Sequence, residues 1–106
     1  MLDVKTNYAT YKNCYVKLDH YMADNTLCVE LVNLTDGPIA RITTCLVDGD
    51  CQPNEAYVDT NNCPWAEQFI KDNKLGKPVG IIRNSGFCSY TLYEFDMDEL
   101  VKHMEE

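Results

Sequence analysis

Six cysteines and two histidines are the residues of this chain best suited to chemistry. A nucleophilic cysteine needs a base such as histidine beside it, and a zinc site needs closely spaced thiols or imidazoles. No CxxC pair occurs, and Cys45, Cys51 and Cys63 are poorly spaced for zinc. Phosphate-binding loops, nucleophile elbows and HExxH are also missing from the sequence. The sequence therefore predicts no enzyme, no metal and no cofactor, and most thiols are expected to be small core residues.

The acidic side chains offer a different chemistry, the attraction of a positively charged partner. The formal net charge is −8, from 17 acidic and 9 basic residues. Residues 48–63 contain four acids and no base, and residues 94–106 contain six acids and one lysine. Direct binding to nucleic acid is disfavoured, because phosphate contacts need a basic face. The predicted partner-binding residues are Asp48, Asp50, Glu55 and Asp59 in the first acidic block, and Glu94, Asp96, Asp98 and Glu99 in the second.

The bulk properties describe a small soluble protein. A length of 106 residues predicts one domain, residues 1–106. No apolar run approaches the roughly 20 residues of a membrane span, and the N-terminus lacks a signal-peptide pattern. We therefore expect a cytoplasmic protein with no membrane partner. Acidity that merely keeps such a protein soluble is the simpler alternative to a binding role.

Alternating apolar and polar side chains predict an antiparallel meander in the first half of the chain. Three strands are expected over residues 12–20, 26–34 and 39–47, separated by short polar turns. A short fourth strand over residues 55–59 follows an acidic loop rich in turn-forming residues. These strands position the first acidic block.

A helix is predicted next, because residues 56–76 give start and stop signals in order. A proline suits the first turn, aromatic residues share one helical face, and a glycine can end the helix in the left-handed conformation. The residues with these roles are Asn62 or Cys63 as the cap, Pro64, Trp65, Phe69 and Gly76.

The last third of the chain predicts a hairpin and a second helix. Residues 79–83 and 88–95 flank a polar turn, and Asp96 can cap a helix whose apolar side chains include Leu100. The predicted class is α+β, with an antiparallel sheet of about five or six strands. The element order is βββ-β-α-ββ-α, with two helices packed on the sheet.

Three motifs carry a family resemblance: DTNNCPWAE at 59–67, LGKP at 75–78, and SGFC-Y-LYEFD at 85–96. They resemble a domain-of-unknown-function family of small acidic proteins from gut-bacterial conjugative elements and phages. The resemblance covers residues 56–100. It departs at GIIRNSG, residues 80–86, where the family tends to be more polar, so the role of this hairpin is open.

The resemblance implies a genetic context and no reaction. Small acidic proteins of phages and mobile elements are often inhibitors of host defence, including anti-CRISPR proteins and DNA mimics. We therefore expect a non-enzymatic inhibitor that binds a basic nucleic-acid-handling protein of the bacterial host, such as a Cas nuclease. An accessory protein for element transfer or maintenance and a small cysteine-dependent enzyme are the alternatives.

Overall fold

The computed structural model describes residues 2–20, 26–46 and 51–104. Within these ranges the chain forms two antiparallel four-stranded sheets and two short helices. The first sheet has the order β1 (Leu2–Lys5), β2 (Thr10–His20), β3 (Leu27–Asn33), β4 (Gly37–Arg41). The second has the order β5 (Thr43–Thr44), β6 (Glu55–Val58), β8 (Cys88–Phe95), β7 (Gly76–Ser85), and the helices are α1 (Ala66–Asp72) and α2 (Met97–Lys102).

The expected α+β class is confirmed, but the single sheet of five or six strands is wrong. The predicted strand over residues 39–47 divides into β4 and β5 around Ile42, which lies between the two sheets. Its N–H donates to the Val29 carbonyl of the first sheet at 3.0 Å, and its carbonyl accepts from the Asp59 N–H at 2.8 Å. Alternation along a chain cannot reveal this change of sheet, because both halves keep the period of a strand.

The first strand of the meander was also missed by the pattern. Leu2 and Val4 of β1 are buried, and β1 pairs with the start of β2. Past the N-terminal end of β1, the C-terminal segment occupies this edge of β2, since Val16 N–H donates to the His103 carbonyl at 2.7 Å. The residues after α2 therefore bind directly to the first sheet.

One core joins the sheets and the helices. β2 and β3 contribute alternate side chains, as their sequence pattern predicts, and β6 and β8 contribute from the second sheet. The largest fully buried members of this core are Phe95, Leu27, Leu31, Ile42, Ile70, Leu75 and Leu100.

Among the described residues, no helix has the length and apolar character needed to cross a membrane.

Helix α1 forms where expected, although both of its ends differ from the prediction. The helix begins at Ala66 after an N-cap at Trp65 that makes no side-chain cap hydrogen bond, so Asn62 and Cys63 are not the cap. Pro64 precedes the helix. Phe69 is buried as expected, and Trp65 is half-buried and packs edge-on against it, with ring centroids 6.0 Å apart.

Gly76 does not end α1 in the left-handed conformation. That conformation belongs to Lys74, whose φ is 56°, while Gly76 is already the first residue of β7. Glycine is needed at position 76 for space: a Cβ there would lie 2.7 Å from the Glu94 carbonyl oxygen. The sequence pattern correctly indicated that position 76 needs a glycine. The predicted reason, a left-handed end of α1, was wrong, because the requirement is for space beside β8.

The hairpin of β7 and β8 is confirmed and is longer than predicted. Its register shifts between Pro78 and Ile82, and Gly80 has a φ of 86° within this bulge. Helix α2 is capped as expected, because the Asp96 side chain accepts from the Glu99 N–H at 3.1 Å. Leu100 is buried, as a docked helix requires, but Val101 is 58% exposed, so α2 docks through a narrow apolar face.

Candidate functional site

The cysteines are separated from any obvious catalytic arrangement. All six lie in the described part of the chain and none forms a disulfide. Cys63 is buried, and its Sγ donates to the Arg41 carbonyl at 3.6 Å. Burial and, secondarily, the nearby Asp59 raise the pKa of Cys63 to about 11. A thiol held in its neutral form is a poor nucleophile.

Cys63 should therefore be slow to alkylate. A pKa of about 11 leaves roughly 0.1% thiolate at pH 8, about 100-fold less than a thiol with the ordinary pKa of 9.0. Iodoacetamide labelling followed by peptide mass spectrometry should show this lag, and the Cys63 rate should rise about tenfold per pH unit. The control is the chain unfolded in urea, where Cys63 should react like the other thiols. Rapid labelling of Cys63 in the folded protein would contradict the assignment.

The histidines lie in unrelated places. His20 ends β2 on the surface, and His103 follows α2, where its Nε2 is 3.9 Å from a Glu99 carboxylate oxygen. Within residues 2–20, 26–46 and 51–104, no three His, Cys, Asp or Glu side chains are grouped closely enough to hold a metal ion. The acidic residues are therefore the side chains to follow.

The first acidic block divides in the structure. Asp48 and Asp50 lie outside the described residues. Asp59 is only 9% exposed, and its carboxylate accepts from the backbone N–H of Asn62 at 3.2 Å and from the Asn62 side-chain amide at 2.9 Å. This carboxylate fixes the turn that leads into α1. Glu55 remains half-buried at the start of β6.

The two blocks meet at Glu55 and Glu94. These residues are register partners on β6 and β8, so their side chains lie side by side on one face of the second sheet. Their neighbours Ala56 and Tyr93 belong to the main core on the opposite face. On the other side of Glu94, Lys77 of β7 is its register partner. The row across the sheet is therefore carboxylate, carboxylate, ammonium.

The other predicted residues of the second block, Asp96, Asp98 and Glu99, lie at the start of α2. Asp96 caps the helix, and Glu99 accepts from Lys102 Nζ at 2.9 Å. The Glu99 side chain holds the pKa of Lys102 above its usual value. Asp98 is exposed in the first helical turn. Of these three carboxylates, Asp98 is the one to which the described contacts give no structural task.

Lysines border the second acidic block. A groove of about 600 Å³ is lined by Glu94, Asp96 and Asp98, and also by lysines from α1, its following turn and β7. The negative charge of this groove is thus partly balanced by lysines. The lysines of this groove are Lys71, Lys74 and Lys77.

A larger open cavity, of about 670 Å³, is lined in part by residues of the DTNNCPWAE motif at 59–67. Tyr8, Tyr11 and Trp65 supply aromatic lining, and Arg41 and Asp59 supply opposite charges. Tyr8 is 96% exposed. The sequence could not predict this grouping, because these residues come from three distant parts of the chain. Trp65 both packs on the core and lines this cavity.

Residues 15–106 match the profile of a family described as a domain of unknown function, DUF4313. The chain belongs to this family. No curated protein and no solved structure matched the chain in the corresponding searches. The three motifs that carried the resemblance all lie within the matched residues, whereas β1 and the first residues of β2 lie before them. The family description assigns no activity, so the functional argument depends on the surface geometry.

Proposed function

We propose that this DUF4313 protein is a non-enzymatic inhibitor, encoded by a phage or mobile element, that binds a basic nucleic-acid-handling protein of its bacterial host. A Cas nuclease is the sharpest candidate for that partner. The single observation that supports the proposal is the juxtaposition of Glu55 and Glu94 on neighbouring strands. It brings together two acidic blocks that are far apart in sequence.

Like charges directly opposite each other in a sheet are unfavourable, by roughly 0.2–1 kcal/mol. A positively charged groove laid over Glu55 and Glu94 would relieve this repulsion and gain two charge-assisted contacts. Asp98, in the first turn of α2, lines the same groove as Glu94. Asp59, Asp96 and Glu99 contribute to the field, but their contacts within the fold give them a structural role first.

The flanking lysines reduce the negative charge that a basic partner would meet. Glu55 and Glu94 form an acidic ridge. Lys77 neighbours Glu94 and two further lysines line the adjacent groove, so both acidic and basic side chains border the ridge. Such an arrangement favours a partner whose basic side chains form a narrow ridge or channel wall over a partner that is attracted only by the net charge of this protein. A nucleophilic role for Cys63 in a cysteine-dependent enzyme has less support, since burial raises the pKa of this thiol.

The proposal is tested with the double variant Glu55→Gln, Glu94→Gln. In cleavage assays against a panel of purified Cas and restriction nucleases, we expect the wild-type protein to inhibit at least one enzyme. The double variant should inhibit it about tenfold less well, equivalent to about 1.4 kcal/mol, because two charge-assisted contacts are lost. Glutamine keeps the size of each side chain and can still accept the Gln52 N–H that Glu55 accepts at 2.9 Å.

The matched control is Asp3→Asn, Asp36→Asn, which removes two exposed charges from the first sheet and its turn. Both double variants have the same net charge, so a general electrostatic effect would weaken them equally. The control should inhibit within about twofold of the wild type, as expected for charges remote from a contact. Equal loss in both variants, or no inhibition of any nuclease in the panel, would refute the proposal. Lowered element transfer with unchanged sensitivity to host defence would favour the accessory alternative.

A further inference from the structure

The outer edge of β7 is an exposed hydrogen-bonding edge with apolar side chains beside it. β7 is the last strand of the second sheet, and within the described ranges no strand pairs with its outer side. Ile82 is 66% exposed and Ile81 is 48% exposed. Phe87, in the turn of the hairpin, is completely exposed. Among the described residues, seven large apolar side chains are exposed, and these three of them belong to one hairpin.

Protective features occupy only the first half of this edge. Lys77 and Pro78 resist strand addition, because a charge and a missing N–H both disfavour pairing. The bulge around Gly80 then interrupts the register. From Ile82 to Ser85 the strand again pairs regularly with β8, with no proline or acidic residue in this stretch. The second half of β7 therefore offers a regular edge whose single charged residue, Arg83, disfavours a basic strand and favours an acidic one.

The charge of the hairpin limits what can bind there. Residues 79–93 contain Arg83 and no acidic residue, in a chain whose net charge is −8, whereas Lys77 at the base of the hairpin is the register partner of Glu94. A second copy pairing through the same edge would bring together two hairpins of like charge and two proteins of like net charge. An extended segment that is itself acidic would instead meet exposed apolar side chains and the positive charge of Arg83.

We propose that the second half of β7 receives an extended segment of a partner protein, composed of alternating acidic and apolar residues, as an added strand. Main-chain hydrogen bonds to the open edge would hold the segment, and alternate side chains would select it. Ile82 and Arg83 point to opposite faces of the sheet. An apolar residue of the segment packs beside Ile82, and the next residue, acidic, lies beside Arg83. Arg83 interacts with Tyr57 on that face, which holds it in place.

This inference is independent of the proposed inhibitor function. Glu55 and Glu94 lie at the opposite end of the hairpin from residues 82–85, and the β7 edge selects an acidic ligand where the ridge selects a basic one. Failure of either experiment therefore leaves the other proposal standing.

The test uses the full chain and two fluorescent, end-blocked ten-residue peptides, one alternating glutamate and valine, the other lysine and valine. We expect the acidic peptide to bind at least about tenfold more tightly by fluorescence anisotropy, and to bind less tightly as salt is raised. Hydrogen exchange should slow at residues 82–85 when the acidic peptide is present. Failure of the acidic peptide to bind, equal binding of the two peptides, or protection confined to another element would overturn the proposal.

Matched variants separate the edge from general effects. Ile82→Thr keeps a β-branched residue and removes apolar surface, and Ser85→Glu adds a charge at the end of the edge; each should weaken binding of the acidic peptide several-fold. Leu34→Thr and Thr35→Glu make equivalent changes at an exposed turn of the first sheet and should leave binding unchanged. If β7 becomes protected as protein concentration rises without peptide, a second copy occupies the edge and the proposal is wrong.

Discussion

Substitution of Ile42 by alanine is expected to lower the free energy of unfolding by about 2–5 kcal/mol. Ile42 is fully buried, and it lies where the chain passes from the first sheet to the second. A cavity at this position removes side-chain contacts in the core to which both sheets contribute. Urea denaturation followed by circular dichroism will measure the loss, which is a large part of the roughly 5–15 kcal/mol available to a domain of this size.

Ile82→Ala is the matched control, because it makes the same chemical change at a side chain that is 66% exposed. Its cost should remain below about 1 kcal/mol, from strand propensity and limited burial. Similar losses for the two variants would contradict the assignment of Ile42 to the shared core. A cooperative transition in Ile42→Ala, with an unchanged m value, is needed for the comparison to be valid.

Gly76→Ala is expected to destabilise the protein by about 1–3 kcal/mol, through overpacking and not through loss of a helix cap. The added Cβ would lie 2.7 Å from the Glu94 carbonyl oxygen and 3.1 Å from Phe95 Cα. Both neighbours are backbone atoms of β8, so the two strands must separate where Gly76 pairs with Phe95. Thermal unfolding should show a lower midpoint.

Lys74→Gly provides the contrasting variant. Lys74 has a φ of 56°, a conformation that costs a non-glycine residue roughly 1–2 kcal/mol. Glycine relieves this strain but adds entropy to the unfolded chain, so the net change should lie between neutral and about 1 kcal/mol stabilising. A harmless Gly76→Ala together with a damaging Lys74→Gly would contradict our account of this junction.

Local signals in the sequence predicted the local elements well. Alternation located β2, β3 and β8, and the charge and size of Asp96 identified the cap of α2. These features depend on residues a few positions apart. The four-residue strand β1 is too short for a periodic pattern to stand out, although Leu2 and Val4 are buried in the core.

Features that depend on distant residues could not be predicted from one sequence. The division of the chain into two sheets follows from the backbone partners of Ile42, which lie 13 residues before it and 17 after it. The same limit applied to the candidate site. Asp59 looked like a surface acid until its bonds to Asn62 were seen, and the pairing of Glu55 with Glu94 requires the strand register.

The position of β1 has a consequence for how this family is delimited. The shared profile begins at residue 15, in the middle of β2, yet Leu2 and Val4 fill part of the interior and β1 covers the N-terminal half of that strand. A fragment that begins at residue 15 would lack β1 and the residues of β2 that pair with it, so the core would lose Leu2, Val4 and Cys14 and expose apolar side chains to solvent. The family profile and the folded domain therefore begin at different residues. A protein prepared for biochemical work must retain β1 as well as the residues that match the profile.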